Sequence, residues 1–212
     1  MLLKSAGVPI SVLFGPYSIG AVKIDIVAFD GMDELDAVGP LEVLRRAGFD
    51  VQLVALDPGR TVTCAYGLTI TPDGPPRPDT EIVIFPGGGW VSRAAKGVRA
   101  EIATGRWNPL IDEAKSRGAI LASVCTGAMI LASAGVLKGR RATTHHNAWT
   151  DLEAAGASLV KQRVVDDGDR VTAGGVTSGI DLGLHLVERF KGRDAADEIA
   201  ANLEYRPAAT AC

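Results

Sequence analysis

The sequence predicts an α/β domain, a mainly parallel sheet covered by helices on both faces. Two observations lead there. Short apolar runs of strand length alternate with helical patterns through most of the chain. Several of the runs, at 22–29, 81–85 and 119–124, are rich in Val, Ile and Leu, as strands buried on both faces are. A third observation locates the chemistry. In such sheets ligands sit outside the carboxyl ends of the strands. The residues just past the apolar runs, at 30–36, 86–90, 125–126 and 145–146, are rich in Asp, Gly, Cys and His.

Taken in order, residues 22–29 form the first strand and 30–35 a turn. Gly39-Pro40 opens a helix over 41–47, with Pro early in it, where its missing N–H costs nothing, and Gly48 ends it. A strand at 51–56 is followed by short strands at 61–64 and 68–71 around Gly67, then by an exposed, proline-rich loop over 72–80. The strand at 81–85 ends in Pro86-Gly87-Gly88-Gly89. A helical pattern returns at 109–117, before the central strand 119–124. Residues 127–134 read as a helix stopped by Gly135. A short strand at 142–145, a helix at 150–155, a hairpin over 164–171 with its turn at 166–169, and helices at 177–190 and 195–203 complete the chain. There is no repeat and no dividing linker. The expected organisation is an extension at 1–20, one domain at 21–206 and a tail at 207–212.

Composition narrows the class of function. Of 212 residues, 47% are hydrophobic and 22% charged, ordinary for a chain that buries a good core. A net charge of −3 offers nothing to nucleic acid or to an anionic membrane. No apolar run reaches the roughly 18 residues that span a bilayer, and residues 1–20 lack the pattern of a signal peptide. The cytoplasm is the expected compartment. Three widely spaced cysteines, Cys64, Cys125 and Cys212, with no Cys-x-x-Cys, argue against a disulfide framework and a zinc site.

Cys125 falls where the central strand turns into a helix. A helix N-terminus carries partial positive charge and unpaired N–H groups, an environment that stabilises a thiolate. The plain alternative is a small buried core residue. Gly87, Gly88 and Gly89 can bend the backbone into a nest of N–H groups for a developing anion, as can the N–H of Thr126; the alternative is a tight turn. Asp36 is either a helix N-cap or a general acid or base for a substrate held on Cys125. Asp33 and Glu34 compete for that role but read as solvated turn residues. His145 and His146, adjacent on a strand, point to opposite faces and do not share a metal ion; one of them borders the pocket. His185 reads as structural. No Gly-x-Gly-x-x-Gly follows the first strand, and the turn there is acidic, which disfavours a dinucleotide.

Five motifs in order resemble the ThiJ/PfpI superfamily, relatives of class I glutamine amidotransferase domains. They are Leu35-Asp36-x-x-Gly39-Pro40-x-Glu42-Val43, Phe85-Pro86-Gly87-Gly88, Ser123-Val124-Cys125-Thr126-Gly127-Ala128, Ala142-Thr143-Thr144-His145, and Thr172-Ala173-Gly174-Gly175-x-Thr177-x-Gly179-Ile180-Asp181. The resemblance covers most of 22–205, and Asp36 with Cys125-Thr126 resembles the isonitrile hydratase branch. Peptidase-like members carry His where this chain has Thr126, and glyoxalase- and deglycase-like members carry Glu where it has Asp36. Transcription-factor members append a helix-turn-helix domain, for which no room is expected before Cys212. The resemblance implies a flavodoxin-like three-layer sandwich with a nucleophile elbow, a homodimer, and catalysis on a small molecule without cofactor or metal. It implies catalytic Cys125, Asp36 and Thr126, with Gly87, Gly88 and His145 at the oxyanion or substrate site. Glyoxalase- or deglycase-like carbonyl chemistry on the same cysteine, and a non-enzymatic redox sensor or chaperone, are the alternatives.

Overall fold

β1 (Lys23–Val27) is an apolar run with one buried charge, Asp25, and it takes the centre of one half of the sheet. The computed structural model describes residues 22–57 and 59–206; the predicted extension, the tail and Cys212 lie outside the described residues. β2 (Asp50–Val54) pairs with one edge of β1 and β5 (Ile82–Phe85) with the other, both parallel. β6 (Ile120–Ser123) and β10 (Arg170–Ala173) continue the parallel set, and β9 (Val164–Asp166) closes the edge antiparallel to β10. The order is therefore β2-β1-β5-β6-β10-β9. After β2 the chain crosses β1 to start β5 on its far side, so the strand order reverses between β1 and β5. A crevice opens at such a switch point, at the carboxyl ends of the strands.

All residues of β5 and β6 are buried, which requires cover on both faces. α1 (Glu34–Arg46), α6 (Ser178–Lys191) and α7 (Arg193–Asn202) pack together as one group. α2 (Val98–Thr104), α4 (Ala128–Ser133) and α5 (Trp149–Ala154) form the other, and α3 (Asn108–Ser116) packs on β6, as α4 does. Two small sheets lie outside the main one. β3 (Val62–Thr63) and β4 (Thr69–Ile70) form the expected hairpin, while β7 (Arg141–Ala142) pairs parallel with β8 (Ser158–Leu159). This is the flavodoxin-like arrangement.

Three expectations need correction. The first helix starts at Glu34, not at Leu41, and Pro40 lies inside it. Asp33 caps it by accepting the Leu35 N–H at 3.1 Å. The bond that Pro40 cannot make would have gone to the carbonyl of Asp36, four residues back. Tertiary contact compensates: α6 comes so near that a Cβ on Gly179 would lie 3.0 Å from Pro40 Cδ. Second, the segment 90–108 contains α2, a short helix with a single buried residue, Val98, and so with no apolar stripe to read. Third, the strand expected at 142–145 stops at Ala142. His146–Ala148 is a 3₁₀ turn with His145 at its N-cap, so the two histidines are not on opposite faces of a strand; their rings stack 4.3 Å apart. His185 is structural, as expected, bonding Asp166 at 2.7 Å.

Candidate active site

Three strand ends supply the site. The turn after β1 leads into α1, whose first turn carries Asp36. The segment after β5 carries Gly87 and Gly88, and the 3₁₀ turn Cys125–Gly127 after β6 carries Cys125 and Thr126. Cys125 stands at φ +54°, a left-handed conformation uncommon outside glycine. Its backbone is held on both sides: its N–H donates to the Gly174 carbonyl at 2.8 Å, and its carbonyl accepts from Thr144 Oγ1 at 2.9 Å.

Gly87 is the keystone. Its N–H donates to Asp36 Oδ2 at 2.8 Å, and its carbonyl accepts the Asp33 N–H at 2.9 Å, which joins β5 to the start of α1. A Cβ here would sit 2.5 Å from Thr126 N, 2.7 Å from Thr126 Oγ1 and 2.9 Å from Asp36 Oδ2. Only glycine lets the acid and the residue after the cysteine meet across this backbone. The next N–H, of Gly88, donates to Thr126 Oγ1 at 3.1 Å. The expectation that Gly88 N–H serves a developing anion is therefore corrected: the Thr126 hydroxyl has taken it. The backbone N–H groups that favour the Cys125 thiolate are those of Val176 and Thr126. Val176 was not foreseen. It lies just past the Gly174-Gly175 pair, at φ +20°.

Asp36 is fully buried, Thr126 is 3% exposed and Cys125 6%. Among the described residues, Asp36 Oδ1 has no hydrogen-bond partner, and the polar neighbour of the carboxyl is the Cys125 thiol. Burial, reinforced by the charge of Asp33, holds the Asp36 carboxyl well above its usual range. Burial and the Asp36 carboxylate push the Cys125 thiol up to about 12, against the pull of the two N–H donors. This corrects the expectation of an intrinsically acidic thiol. Helix-end donors are present, but desolvation and a carboxylate outweigh them. The result is an acid and a thiol side by side in an apolar site: the carboxylate makes the thiol's proton harder to lose, while the thiol's hydrogen bond pulls the carboxyl part of the way back toward its usual range.

Asp33 and Glu34 do not compete with Asp36. Asp33 caps the helix, and Glu34 Oε1 accepts from the N–H groups of Tyr66 and Leu68 at 2.9 and 3.2 Å, fastening the β3–β4 hairpin. His145 accepts the Asn147 N–H on Nδ1 at 3.2 Å, which leaves its neutral proton on Nε2. Burial and His146 lower its pKa. Its ring edge lies against Gly175, next to Val176, and no hydrogen bond joins it to Cys125 among the described residues. Cys64 is buried under the hairpin, its thiol pushed up to about 11 by burial and the charges of Glu34, Asp30 and Asp33. Among the described residues, no group of three or more His, Cys, Asp or Glu side chains is arranged to hold a metal ion, and no helix is long and apolar enough to cross a membrane.

A flavodoxin-like sheet with a buried cysteine on a strained elbow and a carboxyl beside it defines a class of α/β proteins, and comparison with known proteins narrows it. Residues 22–189 match the DJ-1/PfpI family, and the chain belongs to that family. It is 35% identical over 197 residues to an isonitrile hydratase from Pseudomonas putida, across 89% of this chain and 80% of that protein. It is 32% identical over 157 residues to a deglycase from Thermococcus kodakarensis, across 72% of this chain and 89% of the relative. Among solved structures, a ThiJ/PfpI family protein from Pseudomonas syringae superimposes with a TM-score of 0.74 at 29% identity, over 97% of this chain and 83% of the other. Drosophila melanogaster DJ-1beta has the same fold, with a TM-score of 0.77 at 24% identity, over 88% of this chain and all of that one.

Proposed function

We propose that this protein is an isonitrile hydratase-like enzyme that needs no cofactor. The observation that carries the reading is the proton-holding carboxyl of Asp36 beside the Cys125 thiol. Hydration of an isonitrile requires a soft nucleophile for the terminal carbon and a proton for that same carbon. With the proton on Asp36, the Cys125 thiolate faces a neutral acid and the N–H groups of Thr126 and Val176. Sulfur attacks the carbon of R–N≡C, a C–S bond forms, and Asp36 delivers its proton to the carbon, giving the thioimidate R–N=CH–S–Cys125. Water then adds across the C=N bond. Its oxygen joins the carbon, one proton reaches the nitrogen, and the other returns to the Asp36–Cys125 pair as the C–S bond breaks and R–NH–CHO leaves. The Thr126 hydroxyl, having accepted the Gly88 N–H, keeps its own proton free to orient Asp36 or the water.

The match to a hydratase over most of the chain supports this reading; the match to a deglycase keeps carbonyl chemistry on the same thiol as the rival. The deciding experiment measures formamide formation from simple alkyl isonitriles alongside loss of methylglyoxal. Formamide production dependent on Cys125 supports hydration. Methylglyoxal turnover with inertness toward every isonitrile replaces the proposal with the carbonyl reading, and inertness toward both favours a redox sensor or chaperone. The domain is proposed to work as a cytoplasmic homodimer; a stable 22 kDa species at micromolar concentration in light scattering would refute the dimer.

A further inference from the structure

We propose that Arg163, fastened by Asp181 and Tyr205, is a positioning residue for this site: it grips the 174–177 turn on both flanks and so holds the Gly174 carbonyl that fixes the Cys125 backbone. The turn is what needs holding. Val176 is β-branched and stands at φ +20°, and it faces Cys125 at φ +54°. Such conformations persist only where the surroundings over-determine them.

Arg163 supplies that determination twice. Its backbone carbonyl accepts the Gly174 N–H at 2.9 Å, and Gly174 in turn accepts the Cys125 N–H at 2.8 Å. Its guanidinium reaches the other end of the turn and donates to Thr177 Oγ1 at 3.0 Å. The guanidinium is itself fixed: Arg163 Nε donates to Asp181 Oδ2 at 2.7 Å and a terminal nitrogen lies 2.5 Å from the same oxygen. Asp181 is 9% exposed, and the Tyr205 hydroxyl completes the ring by donating to Asp181 Oδ2 at 2.9 Å while accepting from Arg163 at 3.3 Å. Tyr205 follows α7, so the end of the described chain closes a ring whose opposite side touches the nucleophile's own backbone partner.

Nothing in this ring touches the sulfur. Its effect passes through the Gly174 carbonyl to the Cys125 backbone, and through the same turn to the Val176 N–H, which favours the thiolate over the thiol. The other titratable groups facing this region are Asp36 and Asp33 at the start of α1, which oppose the thiolate, and His145, whose ring abuts Gly175. The variants below leave all three in place.

The proposal rests on Cys125 as the reacting group but not on the identity of the substrate, so the test reads the thiol directly. The rate of Cys125 alkylation by iodoacetamide is measured against pH, with peptide mapping, in wild type and in Thr177→Val, Tyr205→Phe and Arg163→Met. Thr177→Val removes one anchor at an exposed position and leaves the sulfur's surroundings untouched. Expected for Thr177→Val and Arg163→Met is alkylation about fivefold slower at a fixed pH below the inflection, the scale of one misdirected hydrogen bond, with the profile displaced to higher pH. Tyr205→Phe moves it the same way by less. Arg163→Lys restores little, because one ammonium cannot span Asp181 and Thr177 as the guanidinium fork does. A folded Thr177→Val protein whose profile overlays the wild type refutes the proposal, whether or not Arg163→Met folds. Failure to turn over isonitriles with these alkylation shifts present would refute only the hydratase reading.

Discussion

Two carboxylates, both fully buried and eleven positions apart, have opposite fates. Asp25, in the middle of β1, is surrounded by donors. The Arg77 N–H and Nε reach it at 2.8 and 2.7 Å, and the same guanidinium bonds the Ile24 and Asp50 carbonyls at 2.8 and 3.0 Å. Asp36, in the first turn of α1, has one backbone N–H and an oxygen without a partner among the described residues. Burial raises both carboxyls, but Arg77 opposes the rise at Asp25, while at Asp36 the neighbouring charge of Asp33 adds to it. The lesson is that burial alone does not mark a functional acid. A buried carboxylate matched by a guanidinium is a clamp, here tying the proline-rich loop to β1 and β2. One left half-satisfied beside a thiol is a store for a proton.

That contrast breaks most easily by removing the groups themselves. Cys125→Ala should abolish formamide production, and Asp36→Asn should lower it by about 10²–10⁴-fold, the usual loss of a proton-transfer group, while keeping an acceptor for the Gly87 N–H. Arg77→Met should do the reverse. It strands a buried charge and costs about 3–5 kcal/mol of stability, read by urea unfolding, with turnover per folded molecule retained. Loss of stability in Asp36→Asn as large as in Arg77→Met would make Asp36 a second clamp and end the distinction.

A pH series sharpens it. Because the folded-state pKa of Asp36 is raised, its contribution to stability is full below the ordinary carboxylate value of 3.8 and is lost as pH climbs through the folded value. Asp36→Asn should remove that decline, leaving the protein as stable as wild type or more so at neutral pH. The same variant removes the charge that opposes the thiolate, so Cys125 alkylation should move to lower pH and outpace that of Cys64. In the wild type Cys125, at about 12, should react no faster than Cys64, at about 11, whose thiolate fraction is about tenfold larger at neutral pH. An unmoved Cys125 profile in Asp36→Asn would mean the carboxyl does not control the thiol.

The smallest effect concerns Thr126. Thr126→Val keeps the backbone N–H toward the sulfur but leaves the Gly88 N–H without its acceptor. Formamide turnover should fall by about tenfold, the scale of one such bond, with alkylation of Cys125 nearly unchanged. Equal loss of both would assign Thr126 to the thiol rather than to the proton relay.

Much of this was legible in the residue order. The buried runs of β5 and β6, the alternation with helices and the placing of Cys125 after the central strand follow from periodicity, because a strand covered on both faces has no choice but to be apolar throughout. The glycines at 87–89 read as a nest for a developing anion, whereas the Gly87 and Gly88 N–H groups are bonded to Asp36 and Thr126; the Thr172–Gly175 run stood out only through the family resemblance. α1 was misplaced because Gly39-Pro40 is a helix-opening signal on any local reading, and only its packing against Gly179 of α6 makes it an interior. α2, with a single buried side chain, left no stripe to detect.

By itself, then, the sequence determined the layered sheet and the family motifs, since these depend on local pattern, and the set Asp36, Cys125 and Thr126 came with the resemblance those motifs carry. The tertiary structure alone decided what those residues do to one another. It spent the Gly88 N–H on Thr126, brought Val176 to the sulfur and set Asp36 dry against the thiol, turning an expected acidic cysteine into one held near 12. Hydrogen-bond partners and desolvation are properties of segments distant in sequence, and no local pattern carries them.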